Sequence, residues 1–161
     1  MNRFKPQVLV VPEDDANRQL ANGFVLYHAI AIRAVRVMIP AGGWNHVLSV
    51  FADEYVAYLR AYKDAHVILL IDFDGVDDRR TKCEQAIPAD IKPRVFLVGS
   101  RDEPEAIKRD VQESLEAIGT RLAEECYQER YELWIGPHFD HNDAERRDLS
   151  ATVRSILFQA D

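Results

Sequence analysis

The sequence predicts an α/β fold, a single-domain three-layer sandwich around a mainly parallel sheet of four to five strands, on three observations. Short aliphatic runs recur along the chain, each closed by Pro, Asp or Gly. Between them lie stretches whose apolar residues step by three or four, the spacing of amphipathic helices. No repeat, low-complexity tract or linker divides the 161 residues, so one domain over 1–161 is expected, with a last strand and helix over about 131–161 as an extension.

The elements follow in order. Val8 to Val11 read as a first strand stopped by Pro12, and Asp14 or Asp15 then caps a helix over about Asn17 to Ile30. Ala34 to Ile39 give a second strand, ended by Pro40 and a Gly42-Gly43 pair. Two glycines before a helix are first a turn, and only secondarily a cradle of backbone amides for phosphate. Leu48, Phe51, Tyr55, Leu59 and Tyr62 mark one face of a helix from Trp44 to Tyr62. Val67 to Ile71 is a third strand, apolar on both faces and therefore central. A shorter helix over Asp77 to about Ile87 follows, then a fourth strand at Val95 to Val98. Asp102 and Glu105 have capping-box spacing, and the apolar positions from Ile107 to Cys126 predict one helix of more than five turns. Tyr131 to Ile135 is expected as a fifth strand, and a last helix starts near Asn142.

Bulk composition narrows the function classes. Apolar residues make up 47% and charged residues 29% of the chain, an ordinary globular balance. No apolar run is long enough to span a bilayer, and MNRFKPQ leads straight into the first strand, so a cytoplasmic protein without membrane association is expected. Cys83 and Cys126 have neither disulfide-framework nor zinc-ligand spacing. Lys plus Arg number 20 against 27 Asp plus Glu, a net charge of -7, which argues against broad nonspecific adhesion to nucleic acid.

The chemistry gathers at HVILLIDFDGVDD, His66 to Asp78. Asp72 and Asp74 flank Phe73, so in an extended backbone both carboxylates leave one side of the carboxyl end of a central strand, where open α/β sheets keep their sites. A second acidic group, Glu13, Asp14 and Asp15, ends the first strand. If the first and third strands are neighbours, these groups meet, and a divalent cation on oxygen ligands would relieve their repulsion. Arg79 and Arg80, with Lys82, have the charge to meet a substrate phosphate beside such an ion, and Ser100 closes the fourth strand. His138, Asp140, His141 and Asp143 form a further polar cluster of metal-ligand types, from which His138 is an accessory candidate.

A glutamate after the first strand (VLVVPEDD) and a DxD after the third (VILLIDFDG) resemble the TOPRIM domain of topoisomerases, primases and overcoming-lysogenization-defect type nucleases, over roughly the first hundred residues. The resemblance implies a small stand-alone TOPRIM-related protein holding Mg²⁺ (or Mn²⁺) on Asp72 and Asp74, with Glu13 as general acid/base or third ligand. It implies nuclease-like processing of phosphodiester bonds in nucleic acid or another phosphate ester, with Asp14, Asp15, Arg79, Arg80, Ser100 and His138 as accessory candidates. Asp14 stands where a glycine usually follows the family glutamate, and no tyrosine nucleophile or primase motif is recognisable, so a topoisomerase or primase is not expected. VILLIDFDGV is also similar to the first motif of haloacid dehalogenase-type phosphatases, with Asp72 as nucleophile and Asp74 as acid/base. That motif normally opens its fold, whereas 65 residues precede His66 here. A receiver-type signalling module is a third resemblance, with Asp14 and Asp15 after the first strand, Asp72 as phosphoacceptor and Ser100 after the fourth; Gly136-Pro137-His138 stands where its lysine would be. A non-catalytic protein-interaction unit, with a protein partner or as a homo-oligomer, completes the alternatives.

Overall fold

The computed structural model describes residues 2–160. Four strands, β1 (Gln7–Pro12), β2 (Val35–Val37), β3 (Ala65–Leu70) and β4 (Val95–Val98), form one all-parallel sheet in the order β2-β1-β3-β4. The first and third strands are therefore neighbours, in a register that pairs Val10 with Ile68 and Pro12 with Leu70. Parallel strands need crossovers, and helices supply them on both faces. One face carries α2 (Trp44–Val50), a π-helical turn (Phe51–Tyr55), α3 (Val56–Ala61) and α4 (Asp77–Gln85). The other carries α1 (Asp15–Val25), α5 (Pro104–Val111), α6 (Leu115–Gln128) and α7 (Asp143–Leu157).

Side-chain alternation divides the core accordingly. Leu9, Val11, Val67, Leu69, Ile71 and Leu97 pack with Val47, Phe51, Tyr55 and Leu59 on the α2/α3 side. Val8, Val10, Ile68, Phe96 and Val98 face the helices of the other side. The π turn fits the sequence of the α2/α3 rod. Val47, Phe51, Tyr55 and Leu59 are all buried and step by four, and each such step overshoots a 3.6-residue turn by roughly 40°. Three steps overshoot by about 120°, most of which one extra residue in a turn takes back.

α1 is capped by Asp14, whose Oδ1 accepts from the Asn17 backbone N–H at 2.9 Å. It ends at Val25, before the expected Ile30, because Ile30 pairs antiparallel with Phe158 and the Ala31 N–H donates to Leu157. α1 crosses α6 at two glycines. A Cβ at Gly23 would lie 2.0 Å from the Glu116 carbonyl oxygen, and one at Gly119 would lie 2.0 Å from that of Leu20.

Two expected elements are absent. The single long helix after Asp102 is broken: Gln112 is left-handed at φ 60°, and Ser114 starts α6 by accepting from the Ala117 N–H at 3.1 Å. Asp102 does not cap α5, whose first-turn proline follows Glu103. The fifth strand at Tyr131–Ile135 is instead a run of turns. Its amides are captured from below: the buried Glu125 carboxylate of α6 accepts from Leu133 N–H at 2.7 Å and Trp134 N–H at 3.2 Å, while the Trp134 indole donates to Leu122 O at 3.0 Å. With no fifth strand, side chains close the outer rim of β4. Asn142 donates to Gly99 O at 2.7 Å and accepts from Gly99 N–H at 3.2 Å, and Glu145 of α7 accepts from Leu97 N–H at 3.3 Å. Cys83 and Cys126 are free thiols, which burial pushes up to about 11 and about 12 respectively. No helix among the described residues is long and apolar enough to cross a membrane.

Candidate functional site

Beyond Leu70 the chain keeps its ladder to the β4 side for three more residues, with Ile71 N–H on Val98 O at 2.9 Å and Phe73 N–H on Ser100 O at 3.1 Å. Amides between these two face β1. There the Asp72 N–H donates to Glu13 Oε2 at 2.8 Å, while the Glu13 N–H donates to Leu70 O at 2.9 Å. Glu13 thus holds the strand ends together, its carboxylate replacing a backbone acceptor.

Register decides which way the acids point. Pro12 pairs with Leu70, so Glu13 stands level with Ile71, whose side chain belongs to the α2/α3 core. Paired parallel residues share a face, and successive residues alternate. Glu13 accordingly shares the α4 side, where Arg79 lowers its pKa and where it bears on Cys83. Burial wins for Glu13 itself, raising its carboxyl above the usual range; Asp14 and Asp74 push the same way.

Asp72 is one residue further on, and its carboxyl goes to the α1 side. It is 6% exposed. Ser100 Oγ donates to its Oδ1 at 2.9 Å, and the same hydroxyl lies 2.6 Å from Asp102 O. Burial raises Asp72 to about 7; the charges of Asp14 and Glu13 add to this, against the donated hydrogen bonds of Ser100 and the Asn17 side chain. Asn17 is wholly buried, and its Nδ2 also donates to Asp14 Oδ1 at 3.0 Å. Its Oδ1 is buried without a partner.

Asp74 departs from the expected extended conformation. At φ 48° it turns away from the ladder and pairs with Arg79 at 3.1 Å. Arg79 Nη1 also donates to Asp72 O, and its guanidinium lies over the Trp44 ring at 5.2 Å. Arg80 stacks on Phe73 at 4.4 Å, and its Nη2 is buried without a partner. Asp15 faces solvent with Arg18 and Gln19. The Gly42 and Gly43 amides both donate to Glu13 O, at 2.8 and 3.1 Å, and so are committed within the fold rather than open as a phosphate cradle.

The C-terminal cluster divides its members. His138 sits between two carboxylates, Nδ1 at 3.1 Å from Asp102 and Nε2 at 3.0 Å from Asp110, and joins the loop after β4 to α5 rather than entering the crevice. Asp140 pairs with Arg101 and Asp143 with Arg146. His141 packs edge-on to Phe73; burial, then Arg80 and Arg101, hold it down at about 4. Asn17 and Asn142, which the sequence marks only as helix starts, are buried and bind Asp14 and Gly99 respectively. For Asn17 the signal was its place three residues after a capping aspartate.

The crevice therefore holds Glu13, Asp14, Asp72 and Asp74 around two strand ends, with Arg79 among them. Among the described residues, however, no three His, Cys, Asp or Glu side chains are placed as a metal-binding group. The trio Glu13, Asp72 and Asp74 does not fit as one ligand set: Glu13 is across the sheet from the Asp72 carboxyl, and Asp74 is turned onto Arg79. No family model, curated protein or solved structure matches this chain.

Proposed function

We propose that the protein is a TOPRIM-like domain acting on the phosphodiester bonds of nucleic acid or on another phosphate ester, with Mg²⁺ or Mn²⁺ drawn to the acidic end of β1 and β3 and anchored by Asp72. The observation that carries this reading is the direct pairing of β1 with β3, which brings Glu13, Asp14, Asp72 and Asp74 to two adjacent strand ends, with Arg79 paired to Asp74 beside them. Hard divalent cations take oxygen ligands, and in phosphate-ester chemistry they polarise phosphoryl oxygens and lower the pKa of water. Glu13 has the attributes of an acid/base: a carboxyl raised by burial and held in one orientation by the Asp72 amide. Asp72 must lose its proton to bind a cation. Calorimetric affinity for Mn²⁺ is therefore expected to rise about tenfold per pH unit between roughly pH 5 and 7 and to level off above, and to vanish in Asp72→Asn. Binding that is indifferent to pH and to Asp72→Asn would refute the site. Cleavage of single-stranded or duplex nucleic acid with Mn²⁺ tests the activity; metal binding without cleavage would favour the non-catalytic interaction module.

The Ser100 hydroxyl on Asp72 favours a second reading, the receiver type, with Asp72 as phosphoacceptor. Incubation with acetyl phosphate would then add one phosphoryl group to the wild type and none to Asp72→Asn, read by intact mass. An unchanged mass rejects it.

A further inference from the structure

The disagreement between the TOPRIM-type trio and this crevice points to a different set of oxygens. Two carboxylates, Asp14 at the start of α1 and Asp72 after β3, flank the amide of Asn17, a wholly buried residue that reaches both. As placed, the amide presents its NH₂ end to the acids. Nδ2 donates to Asp14 Oδ1 at 3.0 Å, and the same amide acts to lower the Asp72 pKa, so a neutral donor stands between a pair of like charges. The other end, Oδ1, is buried with no partner at all. A buried amide oxygen without a donor is costly, and few native ones lack a partner. Turning the amide over forfeits no hydrogen bond at that oxygen and brings it between the two carboxylates, where without a cation it would face only negative charge. With a divalent cation it becomes a third oxygen ligand.

We propose that Asp14, Asn17 and Asp72 on the α1 side hold the divalent cation, with Asn17 offering NH₂ to the acids when the ion is absent and its oxygen to the ion when it is present. Amide oxygens and carboxylates are ligands suited to a hard cation. Glu13 is then no ligand: it remains across the sheet, bound to the Asp72 amide as a positioning residue. Asp74 remains the partner of Arg79. The proposal rests on reading the crevice as a cation site, and it assigns ligands that the DxD spacing alone does not reveal.

Two measurements on the full chain at pH 8 test it. Free Mn²⁺ is followed by electron paramagnetic resonance during titration of the wild type, Asp14→Asn, Asn17→Ala, Glu13→Gln and Asp74→Asn. The first two variants are expected to lose at least tenfold in affinity and the last two to stay within about threefold. Asp14→Asn keeps a residue type that caps a helix, so it reports on the ion even if Asn17→Ala unfolds. Independently, the Asn17 side-chain NH₂ resonances of the ¹⁵N-labelled protein should move on adding Mg²⁺ in the absence of substrate. If the wild type binds no Mn²⁺, the cation reading itself fails. If it binds, but Asp74→Asn or Glu13→Gln abolishes binding while Asp14→Asn and Asn17→Ala retain it, only this ligand assignment fails. Asn17 resonances that stay fixed at saturating Mg²⁺ also overturn it.

Discussion

Gly119→Ala is expected to lower stability by about 3 kcal/mol, the upper part of the range for forced overpacking, because both nearest obstacles are backbone atoms that no rotamer change can move. The added Cβ would stand 2.0 Å from Leu20 O and 2.9 Å from Phe24 N, in the middle of α1. α1 must move off α6, and the contacts of Leu20 and Phe24 with Leu122 and Ile118 loosen with it. For a chain of this size that corresponds to a fall in Tm of roughly 6–12 °C. Urea unfolding of the purified variant measures it. A change under about 0.5 kcal/mol would mean that α1 and α6 cross less closely than described. The effect should reach the crevice, since α1 also carries Asn17 and starts at Asp14.

Asp72→Asn is expected to act in the opposite direction above neutrality. The Asp72 carboxyl is raised from 3.8 to about 7 by burial and by its acidic neighbours. A raised acid binds its proton more tightly in the folded state than in the unfolded one. Its contribution is therefore fully present below about pH 4 and is lost as pH climbs toward 7. A shift of about three units makes the ionised form cost the fold about 4 kcal/mol above pH 7. Asparagine is neutral throughout, so at pH 8 the variant should exceed the wild type by about 2–4 kcal/mol, less whatever the Ser100 and Asn17 contacts lose. At pH 4 the two should lie within about 1 kcal/mol. Denaturant unfolding at pH 4, 6 and 8, without divalent cations, checks the sign. Equal stability at pH 8 would show that Asp72 is solvated or already compensated. Such a gain at the expense of function is what an acid retained for binding would show.

The sheet was legible because each strand is a short apolar run with a hard stop, and central β3 is apolar on both faces. Adjacency of β1 and β3 stood only as a condition in the sequence, since apolar runs do not encode strand order, and the observed order meets it. Side-chain direction at the strand ends was not legible. It depends on Pro12 pairing with Leu70, a register that the separate strands do not encode, and a one-residue difference sends Glu13 and Asp72 to opposite faces. The break between α5 and α6 was hidden because Ile107, Leu115, Ile118 and Leu122 line the same cluster, so apolar spacing runs across it. Ser114 before Leu115-Glu116 was the available cap signal. Tyr131–Ile135 had strand composition, but Glu125 takes two of its amides, a tertiary effect beyond local pattern.

The rim of β4 is closed by one amide side chain and one carboxyl rather than by backbone, and this changes how the sheet can come apart. A fifth strand would have to be unzipped bond by bond. Here Asn142 and Glu145 both sit at the start of α7, so a single outward swing of that helix's first turn releases the Leu97 and Gly99 amides together. Glu145 is itself raised by burial, so its proton is bound more readily with α7 docked than with α7 free. Local opening at this edge is thereby coupled to acidity, and the rim it bares is a ready template for an incoming strand from another chain.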